Sequence, residues 1–334
     1  MKKTITILIF SFLLSTLNAQ IKEYHTNGKL KEIGFYDEQK RKTGEWKYYW
    51  IKAGLHSIVS YKNGFKTTWK HYDTNGQLIE SGKYLKGKKN GEWKYYDLDG
   101  DLSKIGSFEN GQLEGEWKGY YKNELTFSKN YKNSRKNGEW KYFRNGKLKQ
   151  IEHYLDGKMN GESKWYHKNG KLGYIRYYNN GKAIGVHKEY YDSGKIKRIK
   201  TFVNGKTTTS KRYYESGSIS NYSVFFETKI LSKSFYEIGG KLGSTGYNQN
   251  THGTPEIGKW KYYHQNGKLH YKGDFIEGKR TGKWKGYYNN GKRKFKGKYI
   301  EDKKVGKWKF YHKNGKLQKT ENWIDGKLIT TENK

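Results

Sequence analysis

GKWKYYHQNGKL, residues 258–269, returns at 306–317 as GKWKFYHKNGKL, and close variants occupy 91–102, 138–148 and 282–293. Aligned on the first Trp of this phrase, the chain repeats about every 23 or 24 residues. The column runs Trp46, Trp69, Trp93, Trp117 and Trp140, and later Trp260, Trp284 and Trp308. Between these the column carries no Trp, yet its register continues through Ser163, His187, Ser210 and Lys233, and Ile21 opens it. Thirteen copies therefore span the chain and leave no room for a separate catalytic domain.

The punctuation decides between helix and strand. Asn-Gly recurs seven residues after the column position, as at Asn27-Gly28, Asn75-Gly76, Asn145-Gly146 and Asn266-Gly267. A two-residue hairpin turn needs positive φ at both central positions, which Asn and Gly tolerate best. A second glycine, such as Gly64, Gly87, Gly111 or Gly278, closes each copy. Two turns per 24 residues leave two strands of about seven residues. With 41 Gly, one Pro and aromatic residues between the turns, helix competes poorly.

The expected fold is all-β: an elongated antiparallel meander, a solenoid-like array of stacked β-hairpins in about 13 repeats. An aromatic stands three residues after each column position, at Tyr49, Tyr72, Tyr96, Tyr120, Phe143, Tyr263, Tyr287 and Tyr311 among others, and forms the candidate structural column. Fifteen residues after the column a second aromatic recurs, as at Tyr36, Tyr84, Phe108 and Phe275. Recurrent strand glycines (Gly34, Gly82, Gly273, Gly297) leave room for a neighbouring indole to lie over the backbone. Residues 20–242 are expected to form an N-terminal array and 258–334 a C-terminal one. Between them 243–257, which holds the single Pro255, is expected to be a loop insertion. The stretch 163–240 is expected to be a differently curved middle.

These columns resemble MORN repeats, and the phrase GxWxxYxxNG-[KQ]-L followed by [YF]xxGK resembles the variant found in the YwqK family of antitoxins. The likeness covers essentially all of 21–328. It implies a hairpin-stacked β-array without a cofactor, used for scaffolding, contact with lipid surfaces or neutralisation of a toxin.

Residues 1–19 read as a cleaved signal peptide: two lysines, an apolar stretch from Ile5 to Leu17, and Ala19 at the cleavage position. Export follows, to a periplasm, the cell surface or the medium. That setting places a cytoplasmic antitoxin role in question. No later segment is apolar enough to span a bilayer as a helix. The chain has no Cys, and 68 Lys+Arg face 32 Asp+Glu for a net charge of +36. Such a charge directs the protein to anionic partners, whether an envelope polymer, lipid head groups or an acidic protein. Nucleic acid is the less expected partner.

Catalytic signatures are missing. There is no Cys nucleophile, no G-x-S-x-G elbow and no phosphate-binding G-x-x-x-x-G-K-[ST]. The chain is expected not to be an enzyme and to hold no cofactor or metal. Glu45, Glu92, Glu116 and Glu139, just before the Trp, read as partners in cross-strand salt pairs. His25, His167, His264 and His312 sit beside the turns in copies that are mostly not neighbours, and read as turn-flanking polar residues rather than metal ligands.

The candidate binding surface is the recurrent Trp-Lys pair: Trp46-Lys47, Trp69-Lys70, Trp93-Lys94, Trp117-Lys118, Trp140-Lys141, Trp260-Lys261, Trp284-Lys285 and Trp308-Lys309. Rows of rings beside rows of cations could grip sugars or head groups. Its recurrence in every repeat fits cross-strand aromatic packing covered by lysine stems better, because a binding site usually needs local irregularity.

Overall fold

A computed structural model describes residues 20–52, 54–250, 253 and 255–334. The expected signal peptide, 1–19, lies outside the described residues. The chain forms two compact units that meet in sequence between Gly146 and Lys147. In the first unit eleven antiparallel strands, from Gln20–Tyr24 to Arg135–Arg144, each pair with the next. The second unit is a meander of the same kind, from Lys147–Leu155 to Lys327–Asn333. Most strands have 7–10 residues, and the described helical structure is one 3-10 turn, Ile238–Gly240. Among the described residues no helix is long and apolar enough to cross a membrane.

The loop expected at 243–257 is mostly strand. Leu242–Gln249 pairs along its length with Lys229–Phe235, and Glu256–Tyr263 pairs back onto it. Between these strands the Gln249 N–H donates to Pro255 O (2.9 Å) and the Asn250 N–H to Thr228 O (3.0 Å), and 251, 252 and 254 lie outside the described residues. Gly246 holds this strand in the repeat, since the Trp260 indole lies over its backbone.

The two kinds of turn exchange the roles expected of them. Where a copy keeps its second glycine, that glycine closes a two-residue turn with both φ positive, as at Asn63 (51°) and Gly64 (82°) or Asn110 (51°) and Gly111 (84°). At the Asn-Gly phrase, Gly28 takes positive φ and Asn27 does not. The Gly28 N–H donates to His25 O (2.9 Å) and the His25 N–H to Lys29 O (2.8 Å), which closes a three-residue loop. Among the Asn-Gly pairs of this phrase (27–28, 75–76, 145–146, 169–170, 266–267, 290–291 and 314–315), Asn145-Gly146 alone follows the expected geometry, with φ of 48° and 68°. Asn is kept elsewhere for its side chain: Asn27 Oδ1 accepts the Lys29 N–H at 3.1 Å, and Asn27 Nδ2 donates to Ile51 O, 24 residues on, at 2.8 Å.

A bulge recurs in alternate strands. Gly82 faces Trp93 but Lys83 faces Asn90, so Gly91 (φ 71°) and Glu92 are extra residues. A bulge disrupts the ladder where it occurs, and the Trp93 indole N–H donates to Lys83 O there, at 3.0 Å. Trp46, Trp117, Trp140, Trp260 and Trp308 donate to the equivalent carbonyls at 2.8–3.2 Å. The strands Phe65–Tyr72 and Lys206–Tyr213 have a one-residue bulge instead, and a hydroxyl takes over: Thr67 donates to Ser60 O and Thr208 to Thr201 O.

Candidate functional site: the two faces of the sheet

The Trp half of the expected binding surface is core. Trp46, Trp93, Trp117, Trp140, Trp260, Trp284 and Trp308 are all at most 6 % exposed, and Trp69 is partly buried. Six of these rings lie over a strand glycine: Trp46 on Gly34, Trp93 on Gly82, Trp117 on Gly106, Trp260 on Gly246, Trp284 on Gly273 and Trp308 on Gly297. Aromatics of the second column close in edge-on from neighbouring strands, such as Tyr84 at 5.3 Å and Phe108 at 6.0 Å from Trp93. A lysine four residues upstream covers the ring, with Lys42 3.8 Å from Trp46 and Lys89 3.6 Å from Trp93. Burial pushes the Tyr95 phenol on this face up to about 12. Lys304, drawn over Trp308 and Trp323, is held below its usual range by burial.

The lysines of the same pairs project to the other face, since successive side chains of a strand alternate. In the first unit four of the five, all but Lys70, pair with a carboxylate on their own strand rather than across strands. Lys47 pairs with Glu45 (3.6 Å), Lys94 with Glu92 (3.2 Å), Lys118 with Glu116 (3.0 Å) and Lys141 with Glu139 (2.6 Å). The Ser128 hydroxyl donates to Glu116 at 2.7 Å and, with Lys118, holds that carboxyl below its usual range. Across the strands these lysines face neutral residues: Lys94 lies between Ser81 and Ile105, and Lys118 between Ile105 and Ser128.

The last repeats of the second unit differ. Lys259, Lys283 and Lys307 stand where the glutamates stood, and Lys272 and Lys296 where Ser or Ile stood. Lys261, Lys272, Lys285, Lys296 and Lys309 are direct cross-strand neighbours in one file over five strands, and Lys283 faces Lys298 beside it. None of them forms an ion pair with a described carboxylate. A groove of about 520 Å³ runs along the file between Lys283, Lys285, Lys296, Lys298, Lys307 and Lys309. Like charges placed directly opposite destabilise a sheet, so the file is a concentration of positive charge that the fold does not compensate. The Trp-centred alignment missed it. Two of its members lie in the second strand of the repeat, and the signal was the change of Ile58, Ser81, Ile105 and Ser128 to Lys272 and Lys296.

The turn histidines serve the repeat. His25 lies 3.0 Å from Tyr49 O, His167 3.1 Å from Tyr190 O and His264 2.9 Å from Tyr287 O, each one repeat ahead. Tyr288 OH does the same to Tyr311 O at 2.7 Å. The aromatic column at Tyr49, Tyr72, Tyr96, Tyr120, Phe143, Tyr263, Tyr287 and Tyr311 is half-buried, and Tyr49, Tyr287 and Tyr311 supply the carbonyls for these bonds. Among the described residues no three His, Cys, Asp or Glu side chains gather as a metal site would require.

Among curated proteins none matches the chain. One solved structure that it resembles, a TcdB2-TccC3 crystal structure lacking the hypervariable C-terminal region, shares 11 % identity over 94 % of this chain. This chain spans 20 % of that one, and at a TM-score of 0.17 the likeness carries no argument. The MORN repeat variant matches nine segments, at 17–38, 67–86, 89–110, 136–156, 159–180, 184–204, 256–277, 280–301 and 304–325. With more than half of its residues matched and the repeat's hairpins laid out in both units, the chain belongs to the MORN repeat variant family.

Proposed function

We propose that the protein is a non-enzymatic, exported binding scaffold that grips an anionic envelope polymer, lipid head groups or an acidic protein through its lysine face. The observation that carries this reading is the uncompensated file from Lys261 to Lys309. Each lysine–anion contact on an exposed surface is weak. A rigid row of them adds up, because each contact after the first forms within an already assembled complex. Exposed charges separated by more than about 10 Å are largely screened near 0.1 M salt. Retention of the protein on anionic vesicles or immobilised polyglutamate should therefore fall steeply between 50 and 300 mM salt. Retention that holds constant across that range contradicts the proposal.

A second reading is a toxin-neutralising partner of the YwqK type. It draws on the departure of the column from Trp at Ser163, His187 and Ser210, which gives these copies a distinct surface. Under that reading a cognate toxin would be captured through 163–240, and capture would withstand high salt.

A further inference from the structure

Four column Trp residues face a glycine on the next strand: Trp69 faces Gly82, Trp93 Gly106, Trp260 Gly273 and Trp284 Gly297. Where the indole is missing the glycine is missing too. Ser163 faces Arg176, and His187 faces Lys200. His187 keeps the main-chain role of the indole, its Nε2 lying 2.9 Å from Tyr177 O. It does not fill the space. A cavity of about 350 Å³ opens here, with the rings of Tyr178 and Phe202 in its wall.

Four cations line the cavity, Arg176, Lys188, Arg198 and Lys200, against one carboxylate, Glu189. Glu189 is already engaged by Lys197 (3.2 Å) and Arg198 (3.7 Å). Arg176 stacks on Tyr174, its guanidinium 4.0 Å from the ring centroid, a pose that leaves the in-plane N–H edge to a ligand. Lys200 is held below its usual range by burial first and then by Arg198, against the pull of Glu189, with Arg176 and Arg212 adding to the repulsion. Burial likewise holds His187 low, so it adds little charge near neutral pH. Four cations gathered on one cavity against a single engaged carboxylate, with Arg176 exposed at its edge, are an arrangement suited to an anionic ligand.

We infer that this cavity binds a phosphoryl group, held between Arg176 on one strand and Arg198 and Lys200 on the strand beyond, with the strand of His187 between them. A carboxylate offers one charge and two oxygens, whereas a phosphate monoester offers close to two charges and three strong acceptors, which suits two fork-shaped guanidiniums and an ammonium lining one cavity. The inference stands apart from the lysine file and does not depend on it.

The test is calorimetric titration of the full chain, at constant ionic strength, with inorganic phosphate and glucose 6-phosphate. Retention on vesicles containing phosphatidic acid is measured in parallel. One saturable site is expected, with affinity reduced tenfold or more in Arg176→Met and in Lys200→Met. The thermal midpoint of either variant without phosphate should not fall, because each removes a repelled charge. The double variant Lys272→Ser/Lys296→Ser should bind phosphate as the parent does. Binding of glucose 6-phosphate assigns the group to a soluble ester. Vesicle retention that Lys200→Met abolishes, without glucose 6-phosphate binding, assigns it to a lipid head group. Absence of saturable binding in every arm, or unchanged binding in Lys200→Met, overturns the inference and leaves the lysine file untouched.

Discussion

Gly106 shows what one residue contributes. A Cβ built there would overlap the Trp117 ring, and the ring cannot retreat because Phe108 stands edge-on 5.1 Å away. Gly106→Ala should destabilise the first unit by about 1–3 kcal/mol, the usual range for an overpacked core. Trp117→Ala should cost about 3–5 kcal/mol. Urea unfolding of both variants, followed by tyrosine and tryptophan fluorescence, measures the two effects. The histidines at this scale set a pH dependence. His56, His187 and His270 are all held below their usual value, by burial first. The unfolded chain therefore binds more protons than the folded one from about pH 6.5 downward. Stability contributed by these residues is complete above that value and is lost as pH falls towards their folded pKa values. The thermal midpoint should drop between pH 7.5 and 5.5, and by less in His270→Phe.

At the scale of the hairpin, the repeated turn phrase is a clasp between copies. Asn290 accepts the Lys292 N–H (2.9 Å) and donates to Lys313 O (2.9 Å), while Lys292 Nζ reaches Asn314 O (2.9 Å). Asn290→Ala should cost about 1 kcal/mol, the net worth of an ordinary hydrogen bond or slightly more, and should speed amide exchange in the adjoining turn. Asn145→Gly, at a position where positive φ is the main requirement, should change stability by less than about 0.5 kcal/mol. The strands and the glycine beds were legible in the sequence because the period of 24 and the alternation of two survive in nearly every copy. The turn types were not, because Asn-Gly suits both a two-residue turn and a three-residue loop, and the partner that decides is a carbonyl 24 residues away. Trp165 escaped for a related reason. It lies two residues beyond the column yet covers Gly173, a shift that becomes visible only once the strands are paired. The Glu–Lys pairs were assigned across strands because the two-residue bulge hides which side chains share a face.

At the scale of the molecule, this is a repeat-based binding or scaffold protein whose two faces have divided their work. Rings occupy one, where indole, glycine and lysine stem close a core without a second sheet. Lysines occupy the other, balanced by glutamate in the first unit and unbalanced in the last repeats of the second. The Trp-Lys phrase could not reveal this division, because adjacent residues of a strand end on opposite faces. The lysine file is where the fold tolerates repulsion that a neighbouring copy avoids, and Ser81 and Ser128 show that the slot accepts a neutral residue.

That tolerance provides the most direct measurement: the affinity of the parent and of Lys272→Ser/Lys296→Ser for labelled polyglutamate, by fluorescence anisotropy at 50 mM salt, alongside their thermal midpoints. The account predicts that the double variant melts no lower than the parent yet binds at least tenfold more weakly. Equal affinity in the two proteins would contradict it.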